Sequence, residues 1–163
     1  MDFGSAYNRY YKELFIFAFQ LTHCRHKSED LVHEAFLKYH AYADDVITNS
    51  RAWLYKVILN NYNSIHRDEK RREEILKQIQ PDAVEEDIHH ALTRVEEENI
   101  IKEALLQLPE RDSKLILLYR RGLSYSEIAE ILEIKKESVG TTLARAVEKL
   151  KNNLKRTHHE LFK

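Results

Sequence analysis

The stretch Gly122-Leu123-Ser124-Tyr125-Ser126-Glu127-Ile128-Ala129-Glu130-Ile131-Leu132-Glu133-Ile134-Lys135-Lys136 decides how the chain folds. Gly122 reads as the residue just past a helix end, where a left-handed backbone suits glycine best. Ser124 and Glu127 stand at the spacing of a capping box, in which each side chain satisfies the other residue's backbone N–H, so a new helix opens there. That helix carries Ile128, Ala129, Ile131 and Leu132. A brief turn over residues 133–135 leads to a last helix with Val139, Leu143, Val147, Leu150 and Leu154 on one stripe. A short capped helix meeting a longer one at a tight turn, with Ile134 available to plug the angle, has the build of a helix-turn-helix over residues 124–149. Opposite the apolar stripe lie Ser138, Thr141, Thr142, Arg145 and Lys149, with Lys135 and Lys136 at the helix start. Short hydroxyls and long cations suit phosphates and base edges. A plain helical hairpin with a polar outer face fits the same pattern.

Upstream, the same periodicity continues. Ile100, Ile101, Ala104, Leu105 and Leu108 form a stripe stopped at Pro109, and Leu115, Ile116, Leu118 and Tyr119 form the next. Near the N-terminus, Tyr7, Tyr10, Tyr11, Leu14, Phe17, Ala18 and Leu21 mark a first helix. Ser28 reads as an N-cap with Glu29 and Asp30 in the first turn, where the helix dipole favours acids. That second helix turns Leu31, Ala35, Phe36 and Tyr39 inward. After a polar, irregular stretch over residues 40–49, a third helix is expected over 50–72, with Trp53, Leu54, Val57, Ile58 and Ile65 inward. Residues from 73 onward carry many acids, few large apolar side chains and Pro81. The expected fold is therefore all-α, with a helical domain over residues 1–72, a flexible acidic linker over 73–99, and a helix-turn-helix domain over 100–163.

Composition narrows the classes. With three Gly and two Pro in 163 residues, the chain lacks the breakers an all-β fold requires. Cys24 is the single cysteine, so no internal disulfide forms, and a cytoplasmic location is expected. The N-terminus shows no signal-peptide pattern, and no apolar run approaches a membrane span. Net charge is −1. It is unevenly spread: residues 1–72 and 104–163 are basic, and residues 73–103 are strongly acidic. The flanks are thus the candidate nucleic-acid surfaces. His23-Cys24-Arg25-His26 offers three metal-ligating types without a partner pair elsewhere, so plain packing of Cys24 is expected and no metal site. The pairs His89-His90 and His158-His159 carry no role. No nucleophile–base set, phosphate loop or paired carboxylate stands out, so catalysis is not expected, and no cofactor.

Two strings carry a family resemblance. Leu108-Pro109-Glu110-Arg111-Asp112 followed by residues 122–132 resembles region four of bacterial sigma factors of the sigma-70 family, which precedes the helix reading the promoter's −35 element. Ser28-Glu29-Asp30-Leu31-Val32-His33-Glu34-Ala35-Phe36-Leu37 resembles the region-two segment that docks on the polymerase clamp. Arg51-Ala52-Trp53-Leu54-Tyr55-Lys56-Val57-Ile58, with Asn60, Arg67, Arg71 and Arg72, is similar to the helix reading the −10 element. Two matches in order with nothing sizeable between them are the pattern of the small extracytoplasmic-function (ECF) group.

The resemblance implies a promoter-specificity subunit that binds core RNA polymerase and promoter DNA, and in many such proteins an anti-sigma factor. It implies polymerase contacts at Asp30, His33, Glu34, Phe36 and Leu37, and −10 contacts at Tyr42, Arg51, Trp53, Lys56, Asn60, Asn61, Arg67, Arg71 and Arg72. It implies −35 contacts at Lys135, Lys136, Ser138, Thr141, Thr142, Arg145 and Lys149. The sequence departs from the family at His33 (usually Gln), Ser64 (usually Asp), Glu133 (often Gly) and Lys135 (often Ser or Thr). It departs again at Gly140-Thr141-Thr142, where Lys-Ser-Arg is frequent, which removes two long cations from the reading face.

Tyr39, Tyr42, Trp53, Tyr55 and Tyr62 cluster near the polar loop, and unpaired bases stack on such rings at about 1–3 kcal/mol each. Trp53 equally fits core packing, and Tyr42 in the loop is the stronger stacking candidate. Fully extended, residues 73–99 reach roughly 90 Å at about 3.5 Å per residue, enough to join two elements some 25 base pairs, or roughly 85 Å, apart at about 3.4 Å per step. The acids of that segment also suit a basic channel of the polymerase. A stand-alone helix-turn-helix regulator and a purely protein-binding helical adaptor are the alternatives. The first would bind duplex DNA tightly without polymerase, and the second would bind no DNA.

Overall fold

In the computed structural model, residues 2–42, 47–79 and 96–157 are described, and every element among them is a helix. Residues 43–46 of the polar loop, residues 80–95 of the acidic segment, and both the His89-His90 and His158-His159 pairs lie outside the described residues. The chain divides into two compact units, Met1–His89 and His90–Lys163.

In the first unit, α1 (Phe3–Thr22) is opened by Asp2, whose Oδ1 accepts a hydrogen bond from the Ser5 N–H at 3.1 Å. It ends at His23, which takes a left-handed backbone with φ 51°. The two-residue turn His23-Cys24 leads directly into α2 (Arg25–Ala41). Here Ser28 departs from the expectation. It is not an N-cap but lies one turn inside α2, fully buried. Its hydroxyl donates to the Cys24 carbonyl at 2.6 Å and meets Thr22 Oγ1 at 2.8 Å. The hydroxyl thus knits the turn together, and α2 starts a turn earlier than a capping rule places it. Glu29 consequently lies past the first turn and pairs instead with Arg25 at 2.8 Å. Asp30 lies past it too.

The third helix, α3, spans Ser50–Ile79. Asn49 Oδ1 accepts from the Ala52 N–H at its start, at 3.0 Å. The helix runs on past residue 72, because the acidic run there contains no breaker before Pro81. Since the second unit's first helix already begins at Glu96, the extended reach expected for residues 73–99 belongs to a shorter stretch. Helical residues advance about 1.5 Å each, not 3.5 Å.

The three helices bury an aromatic core built from Tyr10, Leu14, Phe17, Leu31, Phe36, Tyr39, Leu54, Tyr55 and Ile58. Phe17 meets Tyr55 edge-on with ring centroids 4.9 Å apart, the arrangement aromatic quadrupoles favour. Expected inward residues shift accordingly. Tyr7 and Ile65 are exposed, and Tyr55 takes the buried place. Along α1, rings at Phe3, Tyr7, Tyr11, Phe15 and Phe19 stand one above the other at four-residue spacing.

The second unit is α4 (Glu96–Leu106), α5 (Glu110–Arg120), α6 (Tyr125–Leu132) and α7 (Lys136–Thr157). Its core is aliphatic: Leu108, Leu115, Leu118, Leu123, Ile128, Ile131, Val139 and Leu143 are all buried. Ile101 and Tyr119, expected inward, are exposed, and Leu117 is buried instead. Gly122 adopts φ 74°, as a C′ residue should. The capping box forms as read, with the Ser124 N–H donating to Glu127 Oε2 at 2.7 Å and the Glu127 N–H donating to Ser124 Oγ at 3.3 Å. Glu133, where glycine would be unstrained, is left-handed with φ 55°, a conformation costing a side-chain-bearing residue roughly 1 kcal/mol. The far half of α7 is tied to α4 by Asn153 Nδ2 donating to the Ala104 carbonyl, and to Gln107 just past the end of α4 by Arg156 donating to its Oε1.

Candidate nucleic-acid interfaces

Helix arithmetic sorts the candidates on α3. At 100° per residue, Trp53, Lys56, Asn60, Arg67 and Arg71 fall on one stripe, about 27 Å long at roughly 1.5 Å per residue. The buried residues Ala52, Leu54, Tyr55, Ile58 and Leu59 lie on the other side of the helix. Asn60, Arg67 and Arg71 are exposed, while Trp53 and Lys56 are half-buried. Arg72 is exposed but sits a quarter-turn away, as does Asn61, whose Oδ1 accepts from Lys38 Nζ at 2.8 Å. Arg51 falls on the opposite side. Its guanidinium makes a two-pronged contact with Glu13 of α1, at 2.9 and 3.1 Å, and its Cζ lies 5.5 Å from the Tyr55 ring centroid. The sequence contained no sign of this pairing, because its partner is 38 residues away.

At the α2–α3 junction three rings form steps. Tyr39 is 2% exposed and shares a hydrogen bond of 2.8 Å with Ser50 Oγ. Trp53 packs edge-on to it at 5.8 Å, and Tyr42 lies 6.4 Å from Trp53. Tyr42, 53% exposed, is the outermost. Of the five rings expected to stack bases, Tyr39 and Tyr55 are therefore core. Tyr62 is half-buried and stacks on His66, with centroids 5.6 Å apart. Tyr42 and the outer edge of Trp53 remain for a flat ligand.

On α2, Asp30, His33, Glu34 and Leu37 are exposed at spacings that place them on one stripe. Phe36 does not join them. It is 2% exposed and packs against Tyr7 and Phe3 with centroids 4.9 and 6.1 Å apart, so it supports the strip from behind.

In the second unit, α7 buries Val139, Leu143 and Ala146, while Val147 is only half-buried. The outermost line of the helix is then Thr141, Ala144, Arg145 and Glu148. Ser138, Thr142 and Lys149 lie on a shoulder. The Ser138 hydroxyl donates to the Lys135 carbonyl at 2.7 Å, and Thr141 donates to the Ser138 carbonyl at 3.2 Å, so both hydroxyls tighten the first turn. Lys135, Lys136 and Arg145 are exposed. Lys149 reaches instead to Asp112 Oδ2 at 2.6 Å, fastening α7 to the start of α5. Asp112 is a buried carboxylate, so its charge needs that partner. Beside it, Lys114 is buried against Glu110. Tyr119 and Tyr125, which sequence reasoning passed over as contact residues, stand exposed beside the turn, with centroids 6.3 Å apart.

Among the described residues, no group of histidine, cysteine, aspartate or glutamate side chains is arranged to hold a metal ion. None of the described helices is long and apolar enough to cross a membrane.

Comparison with known proteins agrees with both halves. The sigma-70 region 2 family matches residues 6–72, and the sigma-70 region 4 family matches residues 98–150. The RNA polymerase sigma factor YlaC of Bacillus subtilis is 32% identical over 94% of this chain and 92% of its own length. The ECF RNA polymerase sigma factor SigW of the same organism is 28% identical over 94% of this chain and 89% of its own length. Among solved structures, the sigma factor RpoE from Bartonella quintana, crystallised with the anti-sigma factor NepR, superposes with a TM-score of 0.75 at 27% identity. The superposition covers 94% of this chain and 97% of that one. A chain with a two-step aromatic rim and basic stripe in one unit, and a capped helix-turn-helix in the other, belongs to the sigma-70 family, in its extracytoplasmic-function group of promoter-recognising sigma factors.

Proposed function

We propose that the two units divide promoter recognition between them by the physical state of the DNA. The first unit holds the melted −10 strand. Tyr42 and the edge of Trp53 receive an extruded base, and Lys56, Asn60, Arg67 and Arg71 follow the strand along α3. The observation that carries this is the single stripe these side chains share on the face of α3 turned away from its core. A stack on an exposed ring contributes about 1–3 kcal/mol, enough to offset much of the cost of unpairing one base. In this reading Arg51 is a positioning residue, holding α3 against α1 through Glu13.

The second unit reads duplex. Arg145 and Thr141, on the outermost line of α7, face base edges, and Lys135 and Lys136 face phosphates. Lys149 sets the angle of α7 from Asp112. Asp30, His33, Glu34 and Leu37 form the strip that meets core polymerase, with Phe36 behind it. The chain works in the cytoplasm, where polymerase and promoter are, and performs no catalysis of its own. An anti-sigma partner, like the one bound to the Bartonella protein, would act by covering one of these faces.

Run-off transcription with purified core polymerase on sheared genomic DNA tests the whole reading. Discrete new start sites that appear only with this protein, sharing two upstream elements, are the expected result. Polymerase that binds the protein yet gives no new starts would count against the strand-holding role. Failure to associate would count against the docking strip. Tight duplex binding by the protein alone would favour a stand-alone regulator.

A further inference from the structure

Gly140 lies in the second turn of α7, between buried Val139 and exposed Thr141. It leaves a bare patch of backbone at the border of the outermost line of the helix. That patch is occupied from another helix. A Cβ built at Gly140 would meet Cε2 of Tyr125 at 3.4 Å and its Oη at 4.0 Å. Tyr125, the first residue of α6, thus lays its phenol where α7 has no side chain of its own. The ring is propped from behind by Tyr119, 6.3 Å away, and is still 42% exposed. Its hydroxyl makes no hydrogen bond among the described residues. A ring held this way has little freedom left to lose on binding. On α7 the exposed residues at helical spacing from Gly140 are Lys136, Glu137 and Ala144.

We infer that Tyr125, seated on Gly140, is a specificity-determining residue of the duplex-reading surface, selecting a thymine through its methyl group at the base step that α7 faces at register 140. The inference rests on the reading of α7 as the helix that enters the major groove. In that groove thymine is the base that offers a methyl group, and an apolar side chain distinguishes it by contact. A cation at position 140 would instead favour guanine, whose acceptors suit arginine and lysine. The Tyr125–Gly140 pair replaces a charged reader with an aromatic one.

The test uses holoenzyme assembled from core polymerase and the full chain, first selecting promoters from a library randomised across the upstream element. The expected result is a thymine at one position of that element, kept by Tyr125→Phe and lost by Tyr125→Ala, with the other positions unchanged. Replacing that thymine by deoxyuridine removes only the methyl group. It should weaken wild-type and Tyr125→Phe holoenzyme about fourfold, the value of one buried methyl group, and leave Tyr125→Ala indifferent. Gly140→Arg should unseat the ring and move the preference to guanine. A Tyr125→Ala holoenzyme that binds every sequence more weakly, yet keeps the thymine and its sensitivity to deoxyuridine, would overturn the inference and leave Tyr125 as a backbone contact. Equal deoxyuridine effects in wild type and Tyr125→Ala would overturn it too. If the library yields no upstream preference at all, it is the duplex-reading role of the second unit that fails, and this inference with it.

Discussion

The two units solve the same packing problem with different residues. The first fills its centre with rings, burying Phe17, Phe36, Tyr39 and Tyr55. The second fills its centre with leucine, isoleucine and valine, and leaves Tyr119 and Tyr125 outside. On the proposed reading, the difference suits the ligand each unit would meet. A single strand offers flat faces, and an aromatic core can end in an aromatic rim, so Tyr39, Trp53 and Tyr42 pass continuously from inside to outside. A duplex offers a groove, which a slim helix enters best when its bulk lies behind it.

The contrast can be broken most severely at its centre. Phe17→Ala removes a fully buried ring that meets Tyr55 and should destabilise the first unit by about 3–5 kcal/mol. Urea unfolding followed by circular dichroism should show one transition moving to lower denaturant and a second unmoved. A shift of both together would show that the units do not unfold separately.

Next in size is Tyr42→Ala. It should weaken formation of the open complex by about 1–3 kcal/mol while leaving binding to core polymerase unchanged, as read by a filter-binding assay beside a pull-down. In the other unit, Arg145→Ala should cost about 1–3 kcal/mol of duplex discrimination. Lys149→Met should cost about 1–3 kcal/mol of stability by leaving the buried Asp112 carboxylate without its partner, with the salt dependence of DNA binding unchanged. A shallower salt slope for Lys149→Met would return that lysine to the DNA surface.

Much of this was legible beforehand. The capping box at Ser124 and Glu127 and the stop at Gly122 depend on near neighbours and appear where local chemistry puts them, while the stripes of α5 and α7 hold at Leu115, Ile116, Leu118, Val139 and Leu143 and fail at Tyr119. What escaped reading depends on distant partners. Arg51 looks like any exposed cation until Glu13 is found beside it. Lys149 looks the same until Asp112 does. Ser28 obeys a local rule for capping, but the hydroxyl is better satisfied by the turn behind it. Tyr39 was placed inward and Tyr42 in the loop from spacing alone, but Tyr55 fell outside the inward stripe read for the third helix, and its burial could not be told from a ring that stacks on a base.

The smallest expected effect concerns the first turn of α1. Hydrogen bonds from Ser5 hold the Asp2 carboxyl below its usual range. The cap it provides is therefore present above the ordinary aspartate pKa and is lost as pH falls through the lowered value. Amide exchange at Ser5 should accelerate only at that low pH.

The division of labour between the units is tested most directly by permanganate footprinting of holoenzyme on a promoter it uses, comparing wild type with Tyr42→Ala and Arg145→Ala. Tyr42→Ala should keep protection of the upstream duplex but lose reactive, unpaired thymines in the −10 element. Arg145→Ala should lose upstream protection first, and should recover melting when the −10 region is supplied already unpaired. Reactive thymines undiminished in Tyr42→Ala, or a pre-melted template that fails to rescue Arg145→Ala, would contradict that division of labour.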